Sequence, residues 1–516
     1  MANVVLFTDL GDVDHIKPAG TYRIATELRA RGYTCQVIDH FMYLTQEQLF
    51  LAVDKFVDDT TVIVGFSSSY MVKDLDVKKR LESFKTAGGI PLTSEQGAEL
   101  KARILKKNPK VKLVKGGHRI RFANKTYNDS FIDAFMYGYS EGMLPAYIEY
   151  LKGKNPFFQF KKRNKTQIRI DYDQNGELFT NFKDCSIKWE PNDIVRQHEP
   201  LPLEIARGCI FQCKFCSTPL QGKKNFDYIR TGEAIYQELL RNYEMYGTTN
   251  YTLLDETFND SMHKLDVVGN AIKRLPFKIQ YTCYLRHDLI YAKREMADIL
   301  EETGLVGCQF GIETLNQRAG KAIGKGLAPE KTIELLYWLR AKWGNKILTE
   351  SNFLLGLPED TMPEMEEWVE TILKPDFPLH SWNLNATMVH YFSPSRKVQL
   401  KASNDIYMSD LAFNSDKYGY IFPKCKEGVP FSVHDSHNWV NIKSGATYEA
   451  VMKLRENVNS RKIPQHLRCW SIMSMQNLGY TYDELHNNKV PYFKSSGALS
   501  KRMKLVDSYY KSLMAL

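Results

Sequence analysis

Two series of alternating strand and helix, one before residue 150 and one after residue 216, confine this chain to the α/β class before any other feature is weighed. In the first series Val4 to Thr8 is a short apolar strand. The helix after it sets Tyr22, Ile24, Ala25 and Leu28 on one face, and Gly32 closes it. Thr34 to Asp39 is the next strand. A helix from Gln46 to Val57, a strand from Thr61 to Phe66, a helix from Ser94 to Asn108 stopped by Pro109, and a strand from Val111 to Val114 follow. This alternation predicts a doubly wound, Rossmann-like parallel sheet over residues 1–150, and such sheets bind ligands in the crevice beyond the carboxyl ends of their strands. The loops expected there are Ser67-Ser68-Ser69-Tyr70, Gly116-Gly117-His118 and Phe135 to Gly142, which contains Gly138 and Glu141. Small residues at such ends let backbone approach a bulky ligand.

The second series predicts a partial (β/α)6, TIM-like barrel over residues 201–397. A helix from Gly232 to Tyr246 turns Ile235, Leu239 and Tyr243 to one side, and strands follow at Asn250 to Leu254 and Lys278 to Leu285. Next come a helix from Ala292 to Glu302, a strand from Leu305 to Ile312, and a helix opened by Pro329, whose fixed torsion suits a first turn. The strand Leu348 to Leu355, a helix with Met365, Trp368, Val369, Ile372 and Leu373 in a stripe, and a strand from Ser381 to Val389 complete the series. Barrels of this kind keep their chemistry at the carboxyl ends of the strands. Between the two series, residues 151–200 read as a hairpin and connector. Thr166 to Tyr172 and Glu177 to Asn181 alternate around a turn at Asp173-Gln174-Asn175-Gly176, and Trp189, Pro191 and Pro200 mark extended chain. Residues 398–516 are mostly helical, with helices expected at Thr447 to Val458 and Ser500 to Leu513, and should cover the barrel and shape its substrate cavity.

Composition narrows the function classes. At 516 residues the chain is long enough for about three or four domains, each with a core of its own. The apolar run at the N-terminus is too short to span a membrane and lacks a basic flank or cleavage site, which points to the cytoplasm. Nine cysteines in so long a chain make no disulfide framework and suit a reducing compartment. A formal charge of +9 and basic runs such as Lys161-Lys162-Arg163-Asn164-Lys165 favour solvated turns over a nucleic-acid surface, so a small molecule or a peptide or protein is the expected substrate.

Chemistry concentrates in Arg207-Gly208-Cys209-Ile210-Phe211-Gln212-Cys213-Lys214-Phe215-Cys216-Ser217. Cys209, Cys213 and Cys216 stand at Cys-x3-Cys-x2-Cys spacing on one loop. A structural zinc site or an ordinary electron-transfer cluster takes four protein ligands, whereas three leave one coordination position open. Thiolates select zinc, copper(I) or iron-sulfur clusters. The other cysteines read as bystanders: Cys283 and Cys308 as small core residues, Cys185, Cys425 and Cys469 without partners at ligand spacing.

This triplet, with the aromatic Phe215 before its last cysteine, resembles the signature of the radical S-adenosylmethionine (SAM) superfamily. Together with the sheet domain ahead of it, the order resembles the cobalamin-dependent branch. The resemblance implies a [4Fe-4S] cluster on Cys209, Cys213 and Cys216, and SAM chelating the open iron. Electron transfer to the sulfonium would yield a 5′-deoxyadenosyl radical, supplied by a donor such as flavodoxin or ferredoxin. It implies cobalamin against Ser67, Ser68, Gly116, Gly117, Gly138 and Glu141, and methylation of an unactivated substrate carbon. The resemblance also makes Phe215 and the strand-end residues Asp255, Glu256, Arg286, Glu313, Gly356, Leu357 and Pro358 candidates for holding SAM: Asp255 or Glu256 near the methionyl amine, Glu313 near the ribose, Gly356 to Pro358 near the adenine. An arginine suits the SAM carboxylate by bidentate pairing.

One departure qualifies the likeness, and one rival within the superfamily, the methylthiotransferase group, is set aside. The Asp-x-His-x-x-Gly sequence that supplies an axial histidine in many cobalamin domains is absent, and Asp14-His15 has the wrong spacing. The methylthiotransferase group carries three further cysteines near its N-terminus, where this chain has only Cys35. Two other readings stay open beside methyl transfer: a radical SAM cyclisation, rearrangement or oxidation, and a zinc-stabilised binding module without turnover.

Overall fold

A computed structural model describes residues 2–8, 16–67, 94–117, 130–171, 182–196, 199–216, 228–389, 391–402, 409–423, 438–461 and 496–516, and residues 425, 472, 480 and 484 singly. The first sheet holds β1 (Val4–Phe7), β2 (Cys35–Ile38), β3 (Ile63–Ser67), β4 (Lys112–Gly116), β5 (Ala134–Tyr137), β6 (Lys161–Lys162) and β7 (Ile168–Asp171). Its order is β2-β1-β3-β4-β5-β7-β6, parallel throughout except where β6 runs against β7. The 2-1-3-4-5 portion is the flavodoxin-like order, whose switch point lies between β1 and β3.

Both faces of this sheet are covered, which is why β1 and β5 are unbroken apolar runs. Val4 and Leu6 join a core with Tyr22, Ala25 and Leu28 of the helix Ala19–Ala30 and with Met143 and Ile148 of the helix Ser140–Leu151. Val5 and Phe7 face the other way, onto the helices Gln46–Phe56 and Ser94–Lys107. That second face is completed by the last helix, Ser496–Ala515, whose Val506, Tyr509 and Leu513 are buried there. Asp39 donates its N–H to the Tyr509 hydroxyl at 2.8 Å, and Lys55 donates to the Met514 carbonyl at 2.7 Å. The C-terminal helix therefore packs on the first sheet, where its Val506, Tyr509 and Leu513 join the core of the second face.

The second sheet holds β8 (Leu201–Glu204), β9 (Asn250–Leu254), β10 (Gln280–Leu285), β11 (Leu305–Glu313), β12 (Leu348–Leu355) and β13 (Ser381–Ala386), all parallel and in sequential order. Helices return between the strands: Gly232–Tyr246, Met262–Lys273, His287–Ala292 with Glu295–Glu302, Pro329–Trp343 and Met362–Ile372. Their ends are set locally. Thr231 accepts from the Ala234 N–H at 3.2 Å, Gly247 closes that helix in the left-handed region, and Thr361 with Glu364 forms a capping box. The fold is thus a doubly wound domain, a partial barrel and a helical C-terminal region.

The structure alters several boundaries expected from sequence. The helix Met262–Lys273, capped by Ser261, was not expected, and the helix anticipated over Ala292 to Glu302 begins earlier and breaks in two before Glu295. Phe135 to Tyr137 belongs to β5, and Ser140, Glu141 and Gly142 already open a helix, so the loop there shrinks to Gly138 and Tyr139. Thr166 to Tyr172 supplies β7, which pairs with β6 and with β5, so the connector widens the first sheet; the second arm of the expected hairpin lies outside the described residues. The apolar core is also continuous. Tyr22 of the first sheet's helix meets Trp189 of the connector, ring centroids 4.4 Å apart, and both share a cluster with Leu201 and Leu203 of β8.

Candidate active site

The three cysteines follow the carboxyl end of β8. Arg207 and Gly208 make the turn, Gly208 with φ +83°, a conformation side chains rarely adopt. Cys209 is buried, its Sγ 3.4 Å from the Thr257 hydroxyl oxygen at the end of β9, and burial pushes its thiol up from the usual range. Cys213 accepts a hydrogen bond on sulfur from Arg286 Nη1 at 3.3 Å. Cys216 is exposed, and its N–H donates to the Cys213 carbonyl at 3.0 Å. The loop is held against the next strand ends: the Lys214 N–H donates to the Ile323 carbonyl at 2.9 Å, and Phe215 packs on a cluster of Ala319, Ile323 and Leu357. Among the described residues no three His, Cys, Asp or Glu side chains stand close enough to enclose one metal ion. A cubane takes each thiolate on its own iron and asks for less convergence than a single tetrahedral ion.

Arg207 was missed from sequence and is the chief link between the two sheets. Its guanidinium forks onto Glu204, with Nε 2.7 Å from Oε1, reaches the Glu141 carboxylate, and lies between the rings of Tyr139 and Phe182 at 4.6 and 4.7 Å. Glu141, expected to face a cofactor, is therefore engaged by Arg207, at the first turn of the helix after β5. Ser67, Gly116, Gly117 and Gly138 stand at or just past the carboxyl ends of β3, β4 and β5. Gly117 and Gly138 have φ of +113° and +106°. Ser68 and the Asp14-His15 pair lie outside the described residues.

Of the two carboxylates proposed for an amine, Asp255 is already committed. It is buried and paired with Lys264 Nζ at 2.8 Å; Lys264 in turn holds Asp260 at 2.7 Å and donates to the Thr257 carbonyl at 2.9 Å. Burial raises the Asp255 carboxyl against the pull of Lys264. Glu256 next to it is exposed at the strand end. The Asp260–Lys264 spacing of four on a helix was the signal that could have revealed this network.

Arg286 ends β10 and is also partly spent. It forks onto Asp288, Nη2 2.5 Å from Oδ2, stacks 4.1 Å from the Phe211 ring, and keeps only the contact with Cys213 toward the loop. Burial works against the Asp288 charge, yet Arg286 holds its carboxyl below the usual range. Glu313 ends β11 after a break in register beyond Gly311, with φ +71°. A left-handed non-glycine at a strand bulge is a strained position of the kind found at binding sites. Its carboxylate is 3.8 Å from Lys325 Nζ, and burial raises its pKa.

The Gly356-Leu357-Pro358 corner after β12 is covered from the C-terminal region. A Cβ on Gly356, at φ +76°, would stand 2.5 Å from Trp439, and the Tyr420 hydroxyl donates to the Gly356 carbonyl at 2.6 Å. Gly356 donates its N–H to Met365 Sδ at 3.0 Å, and Leu357 and Pro358 are buried. These contacts give the glycine a packing reason independent of any nucleotide. Just beyond, Asp360 is fully buried, accepts from Asn316 Nδ2 at 2.9 Å, and is pushed by burial up to about 7.

With this geometry in view, comparison with known proteins is informative. Residues 203–372 match the radical SAM superfamily model, the span from β8 to the end of the helix after β12. An uncharacterized methyltransferase of Pyrococcus horikoshii is 28% identical over 221 residues, covering 43% of this chain and 45% of that protein. An anaerobic magnesium-protoporphyrin IX monomethyl ester cyclase of Cereibacter sphaeroides is 28% identical over 178 residues, 33% of this chain and 28% of that protein. The chain thus spans less than half the length of these curated relatives. Among solved structures, the radical SAM methyltransferase TsrM of Kitasatospora setae, with cobalamin and a [4Fe-4S] cluster bound, superposes over 98% of this chain and all of that one. The TM-score is 0.64 at 13% identity, a likeness of fold over the whole chain.

Proposed function

We propose, for a chain whose residues 203–372 form a radical SAM domain, that Cys209, Cys213 and Cys216 hold a [4Fe-4S] cluster with SAM at its open iron. We further propose that cobalamin lies along the carboxyl edge of the first sheet and that the enzyme methylates an unactivated carbon of its substrate. The observation that carries this reading is the junction at Arg207: the cysteine loop leaves β8 beside the same arginine that grips the turn after β5. Both candidate cofactor edges therefore open toward one space. When bound, the cluster and SAM supply a radical and cobalamin a transferable methyl group.

The chain's own residues have narrower tasks. Arg286 donates to Cys213 and steadies the loop, Phe215 anchors its far end, and Gly208 allows its turn. Glu256, exposed at the strand end, is the carboxylate we assign to the SAM amine, since Asp255 is paired with Lys264, and Glu313 with Lys325 is poised for the ribose. Ser67, Ser68, Gly116, Gly117 and Gly138 would admit the corrinoid by backbone approach, while Glu141 acts through Arg207. Gly356, Leu357 and Pro358 would shape the adenine side from beneath the Trp439 cover. An electron donor such as flavodoxin or ferredoxin and a reducing, cytoplasmic setting complete the proposal; every described cysteine is a free thiol, and no helix among the described residues is long and apolar enough to cross a membrane.

The likeness to a relative named as a cyclase favours one second reading, a radical ring closure without methyl transfer. Anaerobic reconstitution of the full chain, with iron, sulfide, cobalt and zinc analysis, tests the proposal. Iron and sulfide in equal amounts with bound corrinoid are expected. Zinc without iron, or a fourth side chain of this chain on the cluster, would overturn it. Methylated product separates the first reading from ring closure.

A further inference from the structure

The concave face of the barrel sheet carries a row of side-chain amides with no task in the site described above. Side chains alternate across a strand, and the outward set is pinned by the core: Phe310, Phe353, Leu355, Trp382 and Leu384 are buried. Gln309, Asn352, Asn383 and Asn385 therefore turn inward, and each is half-buried. Register brings them together. Asn352 pairs with Asn383 across β12 and β13, Asn385 is one step further along the same face, and Gln309 lies one step before Gly311, the residue opposite Asn352. Among the described residues none of these four amides has a hydrogen-bond partner for its side chain.

The neighbouring charges are already matched. Glu350 accepts from the Ile472 N–H at 2.9 Å, Glu313 faces Lys325, and Arg286 is forked on Asp288. Ile472 also closes the amino end of the barrel: its Cγ2 lies 2.8 Å from where a Cβ on Gly307 would stand.

We propose that this wall binds the substrate through an uncharged amide or lactam edge. A carboxamide offers a carbonyl acceptor and an NH2 donor side by side, so its complement presents both. A carboxylate would satisfy only the donors, and a plain hydrocarbon would leave each amide without a partner. The proposal rests on the barrel being the reaction chamber of the radical SAM reading.

Saturation-transfer NMR on the full-length chain, with nicotinamide and benzamide set against nicotinate and benzoate, tests it without needing a cluster. The amides should show transfer and the acids little. The N383L/N385L double variant should weaken the amide signals by about tenfold while its melting temperature and reconstituted iron stay at wild-type values. N352L should act in the same direction and serves if the double variant does not fold. Acids binding as well as amides, or amide signals that persist in N352L and N383L/N385L, would overturn the proposal. So would a parallel loss of S-adenosylhomocysteine binding, which would assign the wall to the nucleoside. Failure of the wild-type chain to take up iron would strike the radical reading instead, leaving the NMR result to stand by itself.

Discussion

The two parallel sheets of this molecule solve the same burial problem in opposite ways. The first is covered on both faces, so β1 and β5 are apolar at every position and every position of β2 is buried, and what remains for a ligand is the backbone at its carboxyl edge. The second sets its large apolar side chains on one face, with Phe310, Phe353, Leu355, Trp382 and Leu384 in the core. Its concave side keeps Gln309, Asn352, Asn383 and Asn385, and its strand ends keep charges bound in pairs. A ligand at the first sheet is met by glycine and peptide groups, and a ligand in the second by side chains. Changes of polarity should therefore matter most in the barrel, and changes of packing most in the first sheet.

Cys213→Ala is the sharpest test of that division. It should abolish iron uptake in reconstitution while corrinoid binding, proposed for the other sheet, stays near wild type by absorption; loss of both together would break the comparison. Next in size is Arg207→Met, which strands the Glu141 and Glu204 carboxylates. Removing one partner of such a buried set costs about 3 kcal/mol or more, read by denaturant unfolding. If the sheets are independent, the loss should be far smaller.

Asp360→Asn probes the charge economy of the barrel. Between about pH 4 and pH 7 the folded chain keeps a proton on Asp360 that the unfolded chain has released, so the wild type loses stability as pH rises through that window. The asparagine variant lacks this loss and should gain about 2 kcal/mol or more on the wild type between pH 4 and pH 8. Melting curves at both pH values decide it. The smallest effect expected is that of Tyr509→Phe, which removes the acceptor for the Asp39 N–H and should cost about 1 kcal/mol in the first sheet. Iron content should not change, because the buried residues described in the last helix pack on the first sheet.

Where the residue pattern was periodic, the fold was legible. β1 to β4, β9 to β13 and Pro329 at a helix start could be read because local rules of alternation and helix opening operate within a few residues. The candidate site was legible only where ligands are adjacent in sequence, as at Cys209, Cys213 and Cys216. Asp255, Arg286 and Glu141 were singled out as polar strand-end or loop groups; the structure gives them the partners Lys264, Asp288 and Arg207, of which Arg207 lies too far along the chain from Glu141 to be assigned by spacing.

By itself, then, the order of residues determined two parallel α/β units and a three-thiol loop between them, since hydrophobic period and ligand spacing are properties of short stretches. Only the tertiary structure decided which carboxylates are free. A charge buried beside an opposite charge is neutralised whatever its neighbours in the chain, and that pairing joins residues as distant as Glu141 and Arg207. It decided, for the same reason, that the final helix serves the first sheet: an apolar stripe carries no address, and Val506, Tyr509 and Leu513 went to the face still open.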